Sequence, residues 1–161
     1  MLQVGDQIPV DIPVLDAYGD TTSLSAFAGQ KLILYFYPKD DTPGCTTEAI
    51  NFESVRKELT DLDWTVIGIS ADSCKSHERF KIKYNLGFPL LSDPDNALSS
   101  AFGAYGEKKN YGKTYMGIIR STFLADKTGK IIKVYPKVKA DGHGEEVVKW
   151  ITENCVPGSV S

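Results

Sequence analysis

Apolar residues recur along this chain with two different spacings, and the switch between them marks its elements. Lys31 to Tyr37 (KLILYFY) is apolar at every position after Lys31. Such a run predicts a strand covered on both faces, as in a parallel sheet flanked by helices. Pro38 ends it. From Thr42 onward the spacing becomes helical: Glu48, Phe52, Val55 and Leu59 follow at steps of three or four, with Thr42 as N-cap and Pro43 at the first helical position. A helix from Pro43 to Thr60 is expected. Thr65 to Ser70 (TVIGIS) reads as a second buried strand, and Asp72 or Ser73 caps a helix that carries Phe80 and Tyr84.

Phe88 to Leu91 is a short third strand, and Asp93, Pro94 and Asp95 turn into a helix with Leu98 and Phe102 on its inner face. Gly103 to Gly117 reads as a long aromatic loop. Ser121 to Ala125 and Lys130 to Tyr135 flank a DKTG turn with Gly129 available for positive φ, which predicts an antiparallel hairpin. Gly144 to Asn154 is a last helix, and the tail from Pro157 is expected to be loose. Before Gly29 the chain reads as brief strands and turns, with one helical turn at Leu24 to Phe27.

Alternating βα units followed by a hairpin and a terminal helix argue for one domain over residues 1–161. The expected fold is a three-layer α/β/α arrangement whose central sheet is mixed, because the hairpin must run antiparallel. A thioredoxin-like architecture is the simplest match. A length of 161 residues is enough to bury a core without disulfides or metals.

Charge removes some functions. The net charge is −3, with basic and acidic residues interleaved, so no stripe exists to neutralise successive phosphates and nucleic acid is a poor partner. Met1 to Val10 contain Asp6 and no signal-like apolar core, and no apolar run is long enough to cross a bilayer. A cytoplasmic protein is expected. The three cysteines, Cys45, Cys74 and Cys155, are odd in number and widely spaced, as reduced thiols rather than a disulfide framework would be. His77 and His143, the only histidines, lie at no ligand spacing from a cysteine pair and read as solvated residues, so neither metal nor cofactor is expected.

Chemistry gathers beyond the carboxyl ends of strands in open α/β sheets, and Pro38 to Cys45 (PKDDTPGC) occupies that place. With Thr42 as N-cap, Cys45 is the third helical residue, where unpaired N–H groups and the helix dipole favour a thiolate. Read alone, Cys45 is equally a small core residue. The arrangement of Pro38, Thr42 and Cys45, however, resembles the peroxiredoxin signature. The stretches YPKDDTPGCTTEA, ISADSCKSHERF, LLSDPDNALSSAFGAYG and RSTFLADKTGKI are similar to the bacterioferritin comigratory protein (peroxiredoxin Q) branch, over most of Lys31 to Ile132.

That resemblance implies a peroxidase that reduces hydrogen peroxide and organic hydroperoxides through a sulfenic acid at Cys45. It also implies a thioredoxin-like or low-molecular-weight thiol as reductant, in a monomer or homodimer. It makes Arg120 the catalytic arginine and Glu48 the acid that orients it. The chemistry is coherent: a departing oxygen needs donors, which Arg120 and backbone N–H groups provide, and Glu48 can hold the guanidinium fork. Thr42 offers a hydroxyl to sulfur and peroxide, and Pro38 a rigid apolar wall. The plainer readings are a helix cap for Thr42, a dipole-favoured carboxylate for Glu48 and a surface ion pair for Arg120. Tyr105, Tyr111 and Tyr115 read as packing residues on the way to Arg120.

Two other functions compete. A thioredoxin-type disulfide reductase needs C-x-x-C, but Thr42 stands where the first cysteine would be and Glu48 where a later partner would be. A redox-sensing or chaperone-like switch would use Cys45 only once. Where the branch carries its resolving cysteine, this chain has Ile50, and where some members carry it on the next helix it has Lys81. An external thiol is therefore the first expectation for resolving the sulfenic acid, with Cys74 next and Cys155 last.

Overall fold

The structure is a computed structural model and describes residues 1–155. The tail expected to be loose lies outside these residues. In chain order the elements are β1 (Val14–Leu15), β2 (Thr21–Thr22), a 3-10 turn (Leu24–Phe27), β3 (Lys31–Phe36), α1 (Pro43–Asp61), β4 (Trp64–Ser70) and α2 (Cys74–Tyr84). There follow β5 (Leu90–Ser92), α3 (Ala97–Phe102), β6 (Tyr105–Asn110), β7 (Lys113–Ile118), β8 (Ser121–Ala125), β9 (Ile131–Tyr135) and α4 (His143–Asn154).

Seven strands form one mixed sheet in the order β2-β1-β5-β4-β3-β8-β9. Strands β3, β4 and β5 run parallel, joined by α1 and α2, while β8 adds antiparallel to β3 and β9 to β8. The alternation along β3 explains why it is apolar throughout. Ile33, Tyr35 and Tyr37 pack with Phe52 and Leu59 of α1, Phe80 of α2 and Val147 and Ile151 of α4. Leu32, Leu34 and Phe36 pack on the other face with Leu98 and Phe102 of α3 and Leu24 of the 3-10 turn. Both faces are thus covered, as a buried parallel strand requires.

Helix α1 positions the site and is anchored firmly. Its buried residues, Cys45, Glu48, Ala49, Phe52, Val55 and Leu59, recur every three or four positions along one face. Phe52 is wholly buried and stacks on Tyr35 with centroids 4.7 Å apart. Truncating such a ring to alanine costs about 3–5 kcal/mol.

The chain from Gly103 to Gly117 is not a loop. It folds into the hairpin β6–β7, paired from Tyr105↔Ile118 to Asn110↔Lys113, with Tyr111 and Gly112 at φ 52° and 76° in the turn. Two left-handed central residues suit the twist of a two-residue hairpin turn. Glu107, Lys109 and Asn110 of β6 are exposed, as are Lys113 to Met116 of β7. Without a buried face there is no apolar alternation to read.

Candidate active site

After β3 the chain bends through Pro38, and Asp41 takes φ 56° before the helix begins. Thr42 is the N-cap, at φ −101° and ψ 155°, but its hydroxyl caps no helical N–H and donates instead to the Lys39 carbonyl at 2.8 Å. The Thr42 carbonyl accepts the Thr46 N–H at 2.8 Å. The N–H groups of Gly44 and Cys45, ahead of that bond, have no intrahelical acceptor and face the start of α1. Cys45 is third in the helix and 2% exposed.

Arg120 enters from the link between β7 and β8, where its carbonyl is held by the Val138 N–H at 2.9 Å. Its Nη2 donates to Cys45 Sγ at 3.2 Å and its Nη1 to Glu48 Oε1 at 2.7 Å. Glu48 lies one helical turn beyond Cys45 and is fully buried. Burial pushes its carboxyl up to about 7, with the Arg120 guanidinium pulling the other way. Partial burial opposes the charge on Arg120, but Glu48 and Cys45 outweigh it and hold its pKa above that of an ordinary arginine. Its surface-pair reading is set aside by this geometry.

Several groups near the site carried no signal in the sequence. Gly44 lies beneath the guanidinium, and a Cβ there would meet Arg120 Nη2 at 3.2 Å. Tyr35 of β3 lies under the site, its hydroxyl pushed well up by burial first and then by Glu48 and Cys45. Lys108 is a second cation. Its Nζ donates to the Ile118 carbonyl at 2.9 Å, and burial lowers its pKa, Arg120 adding to that and Cys45 opposing it. Lys108 sits on the polar hairpin, so only the pairing of β6 with β7 brings it here.

Both histidines are buried rather than solvated, because the inner faces of α2 and α4 enclose them. His77 is inaccessible, with Nδ1 2.7 Å from Asp40 Oδ2 and Nε2 3.0 Å from the Leu91 carbonyl. His143 lies between Thr122 Oγ1 and Glu146 Oε1, each at 2.8 Å. Burial lowers its pKa, with Glu146 working against that. Asp40, Asp72 and His77 bring one donor atom each within 4.8 Å of one another, and hydrogen bonds within the protein occupy all three.

The remaining thiols are set apart. Cys74 is the first residue of α2 and partly exposed, and Cys155 ends α4 against the core, where burial pushes its thiol up and Lys31 pulls it back. All three cysteines are free. Tyr111 and Tyr115 are exposed, whereas Tyr105 packs on the core formed with α3.

Residues 4–134 match the model of the AhpC/TSA family. The chain belongs to this family of peroxiredoxins. It is 50% identical to the putative peroxiredoxin bcp of Coxiella burnetii, covering 91% of this chain and 97% of that one. Identity to peroxiredoxin Bcp of Bacillus subtilis is 45%, over 94% and 96% of the two chains. A solved structure of peroxiredoxin Q from Xanthomonas campestris superposes with a TM-score of 0.84 at 41% identity, over 91% of this chain and 96% of that one. A peroxiredoxin Q mutant of Xylella fastidiosa gives 0.88 at 38% identity, over 95% and 97%. The thioredoxin-like fold and the class of thiol-dependent peroxidase follow for this peroxiredoxin. Among the described residues no helix is long and apolar enough to cross a membrane.

Proposed function

We propose that Cys45 is the peroxidatic nucleophile of this peroxiredoxin, and that it reduces both hydrogen peroxide and organic hydroperoxides. The observation that carries this assignment is the Arg120 fork, which reaches Cys45 Sγ and Glu48 Oε1 together. The thiolate attacks one peroxide oxygen, the O–O bond breaks, a sulfenic acid forms and the second oxygen leaves as hydroxide or alkoxide, which then takes a proton. Arg120 and the free N–H groups at the start of α1 are the donors for that charge.

Glu48 holds Arg120 in place, and Pro38 walls the mouth of the site. Thr42 shapes the turn through Lys39 and has a hydroxyl that can exchange this carbonyl for a peroxide oxygen. Organic hydroperoxides are included because the Xanthomonas campestris bacterioferritin comigratory protein, 40% identical and with a TM-score of 0.84, has been studied for alkyl peroxide reduction.

A thioredoxin-like or low-molecular-weight thiol returns Cys45 to the reduced form, with loss of water at the first step. The protein acts in the cytoplasm as a monomer or homodimer, and one sheet built from strands between Val14 and Tyr135 supports reading the chain as one domain. The test is turnover of hydrogen peroxide with thioredoxin or dithiothreitol. Wild type is expected to complete many cycles per chain and Cys45→Ser none. Activity in Cys45→Ser would end the assignment, and a single cycle in wild type would favour a redox switch.

A further inference from the structure

Of the basic residues on the β6–β7 hairpin, Lys109 and Lys113 are exposed, whereas Lys108 is half-buried. Lys108 pairs directly with Tyr115 across the hairpin, so both side chains lie on one face with Gly117, two residues beyond Tyr115. A Cβ at Gly117 would stand 3.2 Å from Lys108 Cδ, so the bare glycine leaves the room in which the lysine stem lies. The Lys108 Nζ is 6.0 Å from the centroid of the Tyr115 ring and donates to the Ile118 carbonyl at 2.9 Å. Stem and head are both held, at the cost of rotamer freedom that a solvated lysine keeps.

The charges around Lys108 oppose this placement. Among the described residues no carboxylate lies within 4.0 Å of its Nζ. The carbonyl it holds comes two residues before Arg120, and burial and the like charge of Arg120 both disfavour the ammonium. The charge that favours it is that of Cys45. Glu48 does not balance the two cations, because its carboxyl holds a proton up to about 7 and its Oε1 is engaged by Arg120. Like charges gathered without an acid add nothing to stability and mark a place where negative charge is to be held.

We propose that Lys108 is a second cation of the peroxidase site, a positioning residue that holds the link from Ile118 to Arg120 and adds positive potential at Cys45 and at the departing oxygen. The inference rests on the reading of Cys45 as the nucleophile. Lys108 acts through the Ile118 carbonyl and through its field, while Arg120 is the cation that touches the sulfur. When the O–O bond breaks, negative charge passes from sulfur to the departing oxygen and stays in the field of both cations until that oxygen takes its proton.

Paired alkylation of the reduced full chain tests this role without any peroxide, and so separates its failure from failure of the Cys45 assignment. Iodoacetate is an anion and iodoacetamide is neutral, yet both react with the same thiolate. The ratio of their rates, read by mass on the Cys45 peptide, therefore reports the local potential. Lys108→Met is expected to lower that ratio at Cys45 about threefold to tenfold, the effect of one charge in a partly screened site, and to leave the ratio at Cys74 as it is. Lys108→Gln should lower it equally, whereas Lys108→Arg, which keeps the charge, should retain the wild-type value. Oxidation of Lys108→Met by hydrogen peroxide should slow by a similar factor. An unchanged ratio at Cys45 in Lys108→Met, an equal fall in Lys108→Arg, or a fall of the same size at Cys74 would overturn the proposal. Should Lys108→Met fail to fold, Lys108→Gln takes its place with the same expected and overturning results.

Discussion

Arg120 Nη2 stands 3.2 Å from Cys45 Sγ, across 75 residues of sequence, while Nη1 of the same fork stands 2.7 Å from Glu48 Oε1. One rigid cation thereby spans the sulfur and the carboxylate one helical turn beyond it. A planar guanidinium can satisfy both at fixed geometry, whereas a lysine would offer one point charge.

Arg120→Met is expected to slow oxidation by peroxide about 10²–10³-fold, since the departing oxygen loses a preorganised donor. Arg120→Lys should recover only part of that. Stopped-flow oxidation of the reduced protein measures both, and a wild-type rate in Arg120→Met would remove Arg120 from the mechanism.

Gly44→Ala should reduce the same rate about threefold to tenfold, because the added methyl, 3.2 Å from Nη2, pushes the guanidinium a few tenths of an ångström from its place. Helix stability should hold or rise, as alanine is the better helix former. A slower reaction with an undiminished melting temperature is the expected pair of results. An unaltered rate would show that Arg120 has slack there.

Glu48 makes stability fall as pH rises. In the unfolded chain it releases its proton near 4.5, whereas burial in the folded chain holds the proton up to about 7. Between these values the folded state binds more protons, so folding loses up to about 3 kcal/mol as pH rises through the window and nothing further above it. Glu48→Gln lacks this dependence. Urea unfolding at pH 4.5 and 7.5 should show wild type losing ground relative to the variant, and parallel behaviour would contradict the buried, proton-holding carboxyl.

Resolution of the sulfenic acid is expected to come from an external thiol. Non-reducing peptide mapping after one equivalent of peroxide should find Cys45 as a sulfenic acid or mixed disulfide, with Cys74→Ser and Cys155→Ser turning over like wild type. A Cys45–Cys74 disulfide, with loss of thioredoxin-supported turnover in Cys74→Ser, would overturn this. Cys155 is the weaker internal candidate because burial raises its thiol pKa and so leaves less thiolate to attack.

The buried strands β3 and β4, helix α1 and the β8–β9 hairpin were legible because burial selects apolar residues at a fixed period, and a period survives in the sequence. Pro43 after Thr42 marked the start of α1 for the same local reason, and with it the place of Cys45. Glu48 was singled out by the resemblance, and one helical turn then places it beside Cys45. Arg120 was found through its resemblance to a family and not through any spacing, since contact across 75 residues leaves no local trace. The β6–β7 hairpin escaped because a polar, exposed strand has no buried face to impose alternation. His77 and His143 were misread as solvated because burial of a polar side chain depends on partners that only the fold supplies, here Asp40 and Leu91 for one and Thr122 and Glu146 for the other. Local chemistry along the chain determined the elements and the place of Cys45 at the start of α1. Tertiary packing decided which charges meet it, because a hydrogen bond between distant residues requires no pattern in the sequence between them.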